Sequence, residues 1–372
     1  MWGSILGPNC SDSDPQRGGC TLIILLHPDA GPEQRDEVRA ALQRLGVSTI
    51  DVPFGERHAL VAEAASASHL PAGSIARIAG VEKVVATAPR SPLAHATAQP
   101  GGRSVTLGDA VFGGGHVGVI AGPCTVEDPG ALADTARMVQ AAGAVALRGG
   151  VFKTRTSPHS YQGGGETALA ELAETARSVG LPFFTELTDP RQIGTLADRI
   201  DGIQIGSRNM QNYPLLTEAA KTGKPILLKR HMAADVDEWL LAVEYILDAG
   251  NENVILCERG VQTANHHVRY MLDVGVVPYL KQRIGLPIVV DPSHAAGDWR
   301  LVPALSRAAI AAGADGLLIE VHPAPETTHC DAMQALPPSG FAELMDQLRA
   351  LTALDGRQMR GSAEAFTPAV GV

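Results

Sequence analysis

Short apolar runs alternate with amphipathic stretches along most of the chain. From Val117 onward the runs begin near Val117, Ala144, Pro182, Gly202, Pro225, Asn253, Pro287 and Gly316. Between them apolar residues return at helical spacing: Leu132, Ala136 and Val139; Trp239, Leu240, Val243 and Leu247; and, after the eighth run, Phe341, Leu344, Met345, Leu348 and Leu351. Eight strand-helix units in about 235 residues predict a (β/α)8 TIM barrel over residues 117–352, with a doubly wound open sheet as the alternative.

Upstream the order changes. Thr21 to Leu26 is an apolar run, and Val38, Ala41, Leu42 and Leu45 recur at helical spacing. Ser48 to Val52 and Ala59 to Ala62 read as extended, Ser74 to Ala79 as a weaker helix, and Val81 to Ala86 as a closing strand. This βαββαβ order predicts a small ferredoxin-like α+β domain over residues 20–88. It carries no cluster of catalytic residue types, so it reads equally as a stability or dimerisation module and as a regulatory one. Residues 1–19, rich in Ser, Asp, Gly and Pro, are expected to be a disordered tail, and 353–372, small and polar, a loose one. Residues 89–116 lack periodicity and end in Gly113-Gly114-Gly115, which predicts a linker; the triglycine has neither the GxGxxG nor the Walker spacing of a phosphate loop.

Composition narrows the function class. With 45% hydrophobic and 19% charged residues the chain reads as a soluble globular protein, and 4% aromatics imply an aliphatic core. A formal charge of −10 argues against a general nucleic-acid or anionic-membrane binder. No run reaches the roughly 18 apolar residues of a membrane span, and the N-terminus lacks the basic-then-apolar pattern of a secretory signal. Five cysteines (Cys10, Cys20, Cys124, Cys257, Cys330), odd in number and unpaired in spacing, favour a reducing compartment, and a cytoplasmic location is expected.

The chemistry is concentrated where the apolar runs end, as a parallel barrel requires. The first run ends in Gly122-Pro123-Cys124, the seventh in Asp291-Pro292-Ser293-His294, and the eighth in Glu320-Val321-His322, with Asp331 eleven residues after Glu320. A thiol (Cys124), an imidazole (His294) and two carboxylates (Glu320, Asp331) make a candidate divalent metal site. Arg148, Lys153, Arg155, Arg208, Lys229 and Arg259 follow the other runs and converge on the same mouth. One arginine at a barrel rim is usually a surface ion pair. Six cations from four strand ends repel one another unless an anionic ligand neutralises them, so phosphate or carboxylate groups are expected on the substrate. His159, His231, His266 and His267 lack such company and read as structural or solvent-facing.

These residues fall in motifs: Ala121-Gly122-Pro123-Cys124, Lys153-Thr154-Arg155-Thr156-Ser157, Gly206-Ser207-Arg208-Asn209-Met210-Gln211-Asn212, Cys257-Glu258-Arg259-Gly260, Asp291-Pro292-Ser293-His294 and Ile319-Glu320-Val321-His322-Pro323. In them the chain resembles the 3-deoxy-D-arabino-heptulosonate 7-phosphate (DAHP) synthases from about Val117 to Leu351, and the small domain resembles the regulatory domain of one branch of that family. The resemblance implies condensation of phosphoenolpyruvate with erythrose 4-phosphate, with release of phosphate, at the entry to the shikimate pathway of aromatic amino-acid biosynthesis. It implies one divalent metal ion, manganese, iron, cobalt or zinc, on Cys124, His294, Glu320 and Asp331. It assigns phosphoenolpyruvate to Arg148, Lys153, Arg208, Lys229 and Arg259, and the sugar phosphate to Arg155, Thr156 and Ser157. A homotetramer and an aromatic amino-acid effector are family-level expectations.

A mechanism follows from the resemblance. The metal with its ligands, His294 among them, polarises the aldehyde oxygen, the enol carbon of phosphoenolpyruvate attacks, and Glu186 positions the water that quenches the charge at C2. Lys153, read as surrounded by other cations and therefore lowered in pKa, is the candidate for proton transfer. The chain departs from the family pattern at Thr154, where Pro is usual, at His159 for Tyr, at His231 for Gly, and at Gln262 for Arg. These departures leave the metal and phosphoenolpyruvate groups intact and leave the aldehyde open: erythrose 4-phosphate, or a modified short sugar phosphate in a specialised pathway. The related octulosonate phosphate synthases fit less well, since their sugar loop has Asn before Arg and two serines after it. A weakly active barrel serving as a regulatory partner, for example of a chorismate mutase, is the non-enzymatic alternative.

Overall fold

The computed structural model describes residues 22–54, 57–62, 72–86, 91–98, 101–264 and 266–359. The tail 1–19, Cys10, Cys20 and the chain after 359 lie outside them. Two compact units result, Met1–Pro92 and Leu93–Val372.

In the first unit four antiparallel strands, β1 (Leu22–Leu26), β2 (Thr49–Phe54), β3 (Arg57–Ala62) and β4 (Val81–Ala86), form a sheet of order β2-β3-β1-β4. That is the ferredoxin-like arrangement the βαββαβ reading predicts. Strand β1 alternates, with Leu22, Ile24 and Leu26 buried and the residues between them half-buried. Period-2 alternation puts Leu22, Ile24 and Leu26 on one face, which packs on the helix, and Ile23 and Leu25 on the other. Helix Pro32–Arg44 starts with Pro at its first turn and buries Val38 and Leu42 in the same cluster as Leu60 and Ile75. The helix expected over Ser74–Ala79 is the shorter Ala72–Ile75.

The second unit is a closed parallel barrel. Its strands are β7 (His116–Gly122), β8 (Ala146–Arg148), β9 (Phe183–Glu186), β10 (Gly202–Ile205), β11 (Ile226–Lys229), β12 (Val254–Glu258), β13 (Ile288–Val290) and β14 (Gly316–Glu320), and β14 pairs back onto β7 from Gly316↔Gly118 to Glu320↔Gly122. Closure rejects the open sheet. Strands buried on both faces read as continuous apolar runs, which is why each begins within two residues of a run in the sequence. Alternate residues divide between two apolar clusters: Val119 and Ala121 pack with the helices, whereas Ile120 joins Phe184, Leu227, Ile255, Val289 and Leu318 inside the barrel. The three helices read from periodicity are present as Pro129–Ala141, Val236–Asp248 and Pro338–Leu354.

Two segments depart from expectation. The supposed linker holds a hairpin, β5 (Val105–Leu107) and β6 (Ala110–Phe112), joined by Gly108-Asp109 with Gly108 at φ 55. Glycine leading a two-residue loop is standard hairpin chemistry. Val105, Leu107, Ala110 and Phe112 join the interior barrel cluster. A Cβ at Gly118 would lie 2.5 Å from Phe112, and one at Gly202 would lie 3.0 Å from Leu107. The hairpin therefore plugs the N-terminal end of the barrel and leaves the C-terminal end for chemistry. At the other terminus, Gln358–Met359 (β15) pairs with His116 and Val117, and Arg357 donates to the carbonyls of Ala314 and Ile310. The chain is thus ordered seven residues beyond the predicted end of the barrel.

Candidate active site

Each chemical group is presented by a strand end or the turn after it. Glu320 is the last residue of β14 and Arg148 the last of β8. After β13, Asp291 caps the five-residue helix Pro292–Ala296, its Oδ1 accepting from the His294 amide at 2.9 Å, and this aims His294 inward. Asp331 lies in the loop after β14 at φ 54, the only non-glycine with positive φ among the described residues. Such backbone strain persists where surrounding contacts hold it.

On the floor of the site, one donor atom from each of Cys124, His294, Glu320 and Asp331 lies within 4.8 Å of the others. Cys124 Sγ is 3.1 Å from Asp331 Oδ2, and His294 Nε2 is 3.3 Å from Glu320 Oε1 and 3.8 Å from Asp331 Oδ2. Two carboxylates, a thiol and an imidazole at such separations, largely buried, fit a divalent cation of the manganese, iron, cobalt or zinc type. Burial pulls the His294 imidazole down to about 4, so it is neutral, as a ligand must be. Burial, with Glu320, pushes the Cys124 thiol up. Burial also opposes the charge of Asp331, but the charged Lys153 and Arg269 and the Cys124 thiol that donates to it prevail and hold the carboxyl far below the usual range.

A second layer holds these four. Asp291, fully buried, sits 2.8 Å from His294 Nδ1 and accepts from Lys229 Nζ at 2.7 Å. Glu320 accepts from Arg148 at 3.1 Å and from Gln334 Nε2 at 2.7 Å, and Arg148 also donates to the Cys124 carbonyl at 3.2 Å. Arg269 bridges Asp331 Oδ1 at 3.0 Å and Gln334 Oε1 at 2.9 Å. Carboxylate and amide partners of this kind orient ligands and tune their basicity.

Above the floor lies a cavity of about 290 Å³. Lys153, Lys229 and Arg259 line its depth, and Arg155, Thr156, Ser157 and Arg208 its outer loop. Arg259 is 4% exposed, yet its Nε and Nη1 meet no hydrogen-bond partner among the described residues. Arg155 donates to Cys330 Sγ at 3.0 Å and Arg208 to the Thr154 carbonyl at 3.1 Å, so neither is neutralised by a carboxylate there. Glu186 accepts from Gln204 at 3.2 Å and lies across Gly206, where a Cβ would be 2.0 Å from its Oε1.

The structure brings every sequence-predicted group to one end of the barrel, and corrects the surroundings of one. Lys153 is not ringed by cations: its Nζ is 2.6 Å from Cys124 Sγ and 3.4 Å from Asp331 Oδ2. Burial works against its charge, but the Cys124 sulfur and the carboxylates of Asp331 and Glu320 prevail and push its pKa up, the opposite of the expected direction. Glu258, inside a quoted motif, serves the scaffold, pairing with the buried Arg230 at 3.1 Å and accepting from the Gly260 amide. Arg269, Tyr270 and Gln334 are participants that strand-end reasoning misses, because they sit in long loops. Asp291 was legible as a strand-end carboxylate, but its double contact with His294 and Lys229 was not.

Comparison with known proteins gives the same reading. The model of the DAHP synthetase I family matches residues 94–354. Phospho-2-dehydro-3-deoxyheptonate aldolase of Thermotoga maritima is 37% identical over 330 residues, 89% of this chain and 97% of that protein. A 2-dehydro-3-deoxyphosphooctonate aldolase of Nitratidesulfovibrio vulgaris is 33% identical over 255 residues, covering 64% of this chain and 92% of that one. The crystal structure of the Thermotoga maritima aldolase superposes with a TM-score of 0.83 at 36% identity, covering 91% of this chain and 99% of that one. Family model, whole-length relative and fold agree, and the chain belongs to the DAHP synthetase I family.

Proposed function

We propose that this chain condenses phosphoenolpyruvate with erythrose 4-phosphate and water to give DAHP and inorganic phosphate, with one divalent ion on Cys124, His294, Glu320 and Asp331. The observation that carries the reading is the buried four-donor cluster beneath a cavity whose walls present three arginines, Arg155, Arg208 and Arg259, without carboxylate partners. A bound ion there supplies Lewis acidity toward an aldehyde oxygen. Arg148, Lys153, Arg208, Lys229 and Arg259 take the carboxylate and phosphate of phosphoenolpyruvate and orient its C3 toward the aldehyde carbon. Arg155, Thr156 and Ser157 take the phosphate of the sugar. Lys153, held charged by its neighbours, acts as an acid: Nζ gives its proton to the aldehyde oxygen as the C–C bond forms. Glu186 positions water for C2, the proton this water loses on adding returns to Lys153 Nζ, and the resulting hemiketal phosphate collapses, its leaving phosphate stabilised by the arginines.

The test is phosphate release from phosphoenolpyruvate by metal-loaded protein, before and after chelation, with erythrose 4-phosphate and with a five-carbon sugar phosphate. The second sugar matters because octonate-forming relatives are 33% identical, and an eight-carbon product from a three-carbon donor requires a five-carbon aldehyde. Chelator-sensitive turnover with erythrose 4-phosphate is expected. Turnover with another aldehyde alone would move the chain to a specialised pathway, and none with any would leave the regulatory-partner reading. Control by an aromatic amino acid through the first unit is part of the proposal. A variant beginning at Leu93, which keeps the hairpin plug, is expected to stay active and lose the inhibitor response.

A further inference from the structure

The ring of Tyr270 faces the Arg259 guanidinium, with its centroid 4.4 Å from the guanidinium carbon, and Arg269 approaches the same ring at 5.7 Å. Main-chain bonds fix the backbone that carries that ring. The Tyr270 amide donates to the Ala295 carbonyl at 2.8 Å and the Arg269 amide to that of Ala296 at 3.1 Å, both in the helix that carries His294. Val261 and Met271 exchange two backbone bonds of 2.9 Å. Gly260, at φ 93, brings the two segments together: a Cβ there would lie 2.7 Å from Tyr270 Cβ and 3.0 Å from Ala295 Cβ. The backbone that carries the ring is therefore fixed relative to the turn behind Arg259 and to the helix of His294.

The arrangement solves a specific problem. A cation 4% exposed needs compensation while the site is empty. A carboxylate would provide it but would occupy the same N–H groups an anionic substrate needs, and would have to be displaced. An aromatic face attracts the cation through its quadrupole and takes up no hydrogen bond. Arg259 Nε and Nη1 are buried and unpartnered, as this scheme requires. Lys229 and Lys153, by contrast, are held by Asp291 and by Cys124 with Asp331.

We infer that Tyr270 is a positioning residue for the anionic end of phosphoenolpyruvate: its ring holds Arg259 charged, oriented and free of competing acceptors. The inference rests on the proposed function, in which Arg259 binds phosphoenolpyruvate. It predicts that the ring matters and the hydroxyl does not.

The test is calorimetric titration of the metal-loaded protein with phosphoenolpyruvate, together with steady-state kinetics. Tyr270→Phe should bind within about twofold of wild type, and Tyr270→Leu about tenfold more weakly. The KM for the sugar phosphate and kcat should change little in either. A size-preserving series with mono-, di- and trifluorophenylalanine at position 270, which drains the ring face stepwise, should raise the dissociation constant at each step. A merely structural shelf gives a flat series, and that flat series, or an unchanged Tyr270→Leu, overturns the inference. Because the fluorinated series keeps the ring's shape, it decides the matter even if Tyr270→Leu does not fold. Wild-type protein that binds no phosphoenolpyruvate would overturn the functional reading and this inference with it, whereas wild-type binding with a flat series overturns the inference alone.

Discussion

The floor and the wall of this cleft are built on opposite principles. On the floor, every ionisable group already has a partner within the protein: Glu320 with Arg148, Asp331 with Lys153 and Arg269, and Asp291 with Lys229. On the wall, Arg259 rests on an aromatic ring, Arg155 on a sulfur and Arg208 on a carbonyl. Preorganised acceptors suit a resident metal ion that must be held continuously, and uncommitted donors suit anions that come and go. The largest expected effect comes from breaking the floor. Glu320→Ala removes a donor of the cluster and strands Arg148, 3% exposed. Losing one member of a buried pair costs about 3–5 kcal/mol, because the other charge is left uncompensated. Denaturant unfolding should show that loss, and chelator-sensitive turnover should disappear.

A gentler cut separates the second layer from the first. Asp291→Asn keeps the shape of a fully buried residue but removes the carboxylate charge that faces both His294 and Lys229. Metal affinity, measured by competition with a chelating dye, should fall by about 10- to 100-fold. On the wall the expectation reverses: Arg155→Ala should leave metal affinity and stability unchanged. Losing a charge-assisted hydrogen bond to phosphate, worth about 1.5–3 kcal/mol, should raise the KM for the sugar phosphate by roughly 10- to 100-fold. If Arg155→Ala instead weakened metal binding, the separation of floor from wall would be false.

What could be read in advance follows the same division. The eight strands and the groups at their ends were legible because parallel strands buried on both faces are continuous apolar runs, and a polar residue that ends such a run has few reasons to be there. The hairpin carried a signal, alternating Val105, Leu107, Ala110 and Phe112 around Gly108-Asp109, but its strands of three residues are too short to stand out from a Gly-rich stretch. Lys153 was misjudged because its neighbours come from far along the chain: Asp331 is 178 residues away, and only closure of the barrel brings it near. The supports from Arg269, Tyr270 and Gln334 were hidden for a related reason. They lie in loops without periodicity, and their roles are defined by the partners they meet in space rather than by their spacing in sequence.

The smallest perturbation tests the residue that lies between floor and wall. Glu186 is proposed to position the water that attacks C2, and its carboxylate lies over Gly206 so closely that a methyl group there would sit 2.0 Å from Oε1. The backbone at Gly206, φ −67 and ψ 155, suits alanine, so Gly206→Ala brings no conformational strain. The clash is with the far end of a flexible side chain, and Glu186 can yield by rotating, at the expense of its contact with Gln204. Stability should therefore change by less than about 1 kcal/mol. The proposed role of Glu186 predicts a different response in turnover. Misplacing a positioned reactant by about 1 Å can cost up to about 10²-fold, so displacing the group that holds the water without deleting it should lower kcat by roughly three- to tenfold while both KM values hold. Unchanged kcat in a protein of unchanged melting temperature would remove Glu186 from the mechanism and leave Lys153 as the proton-handling side chain of the cleft.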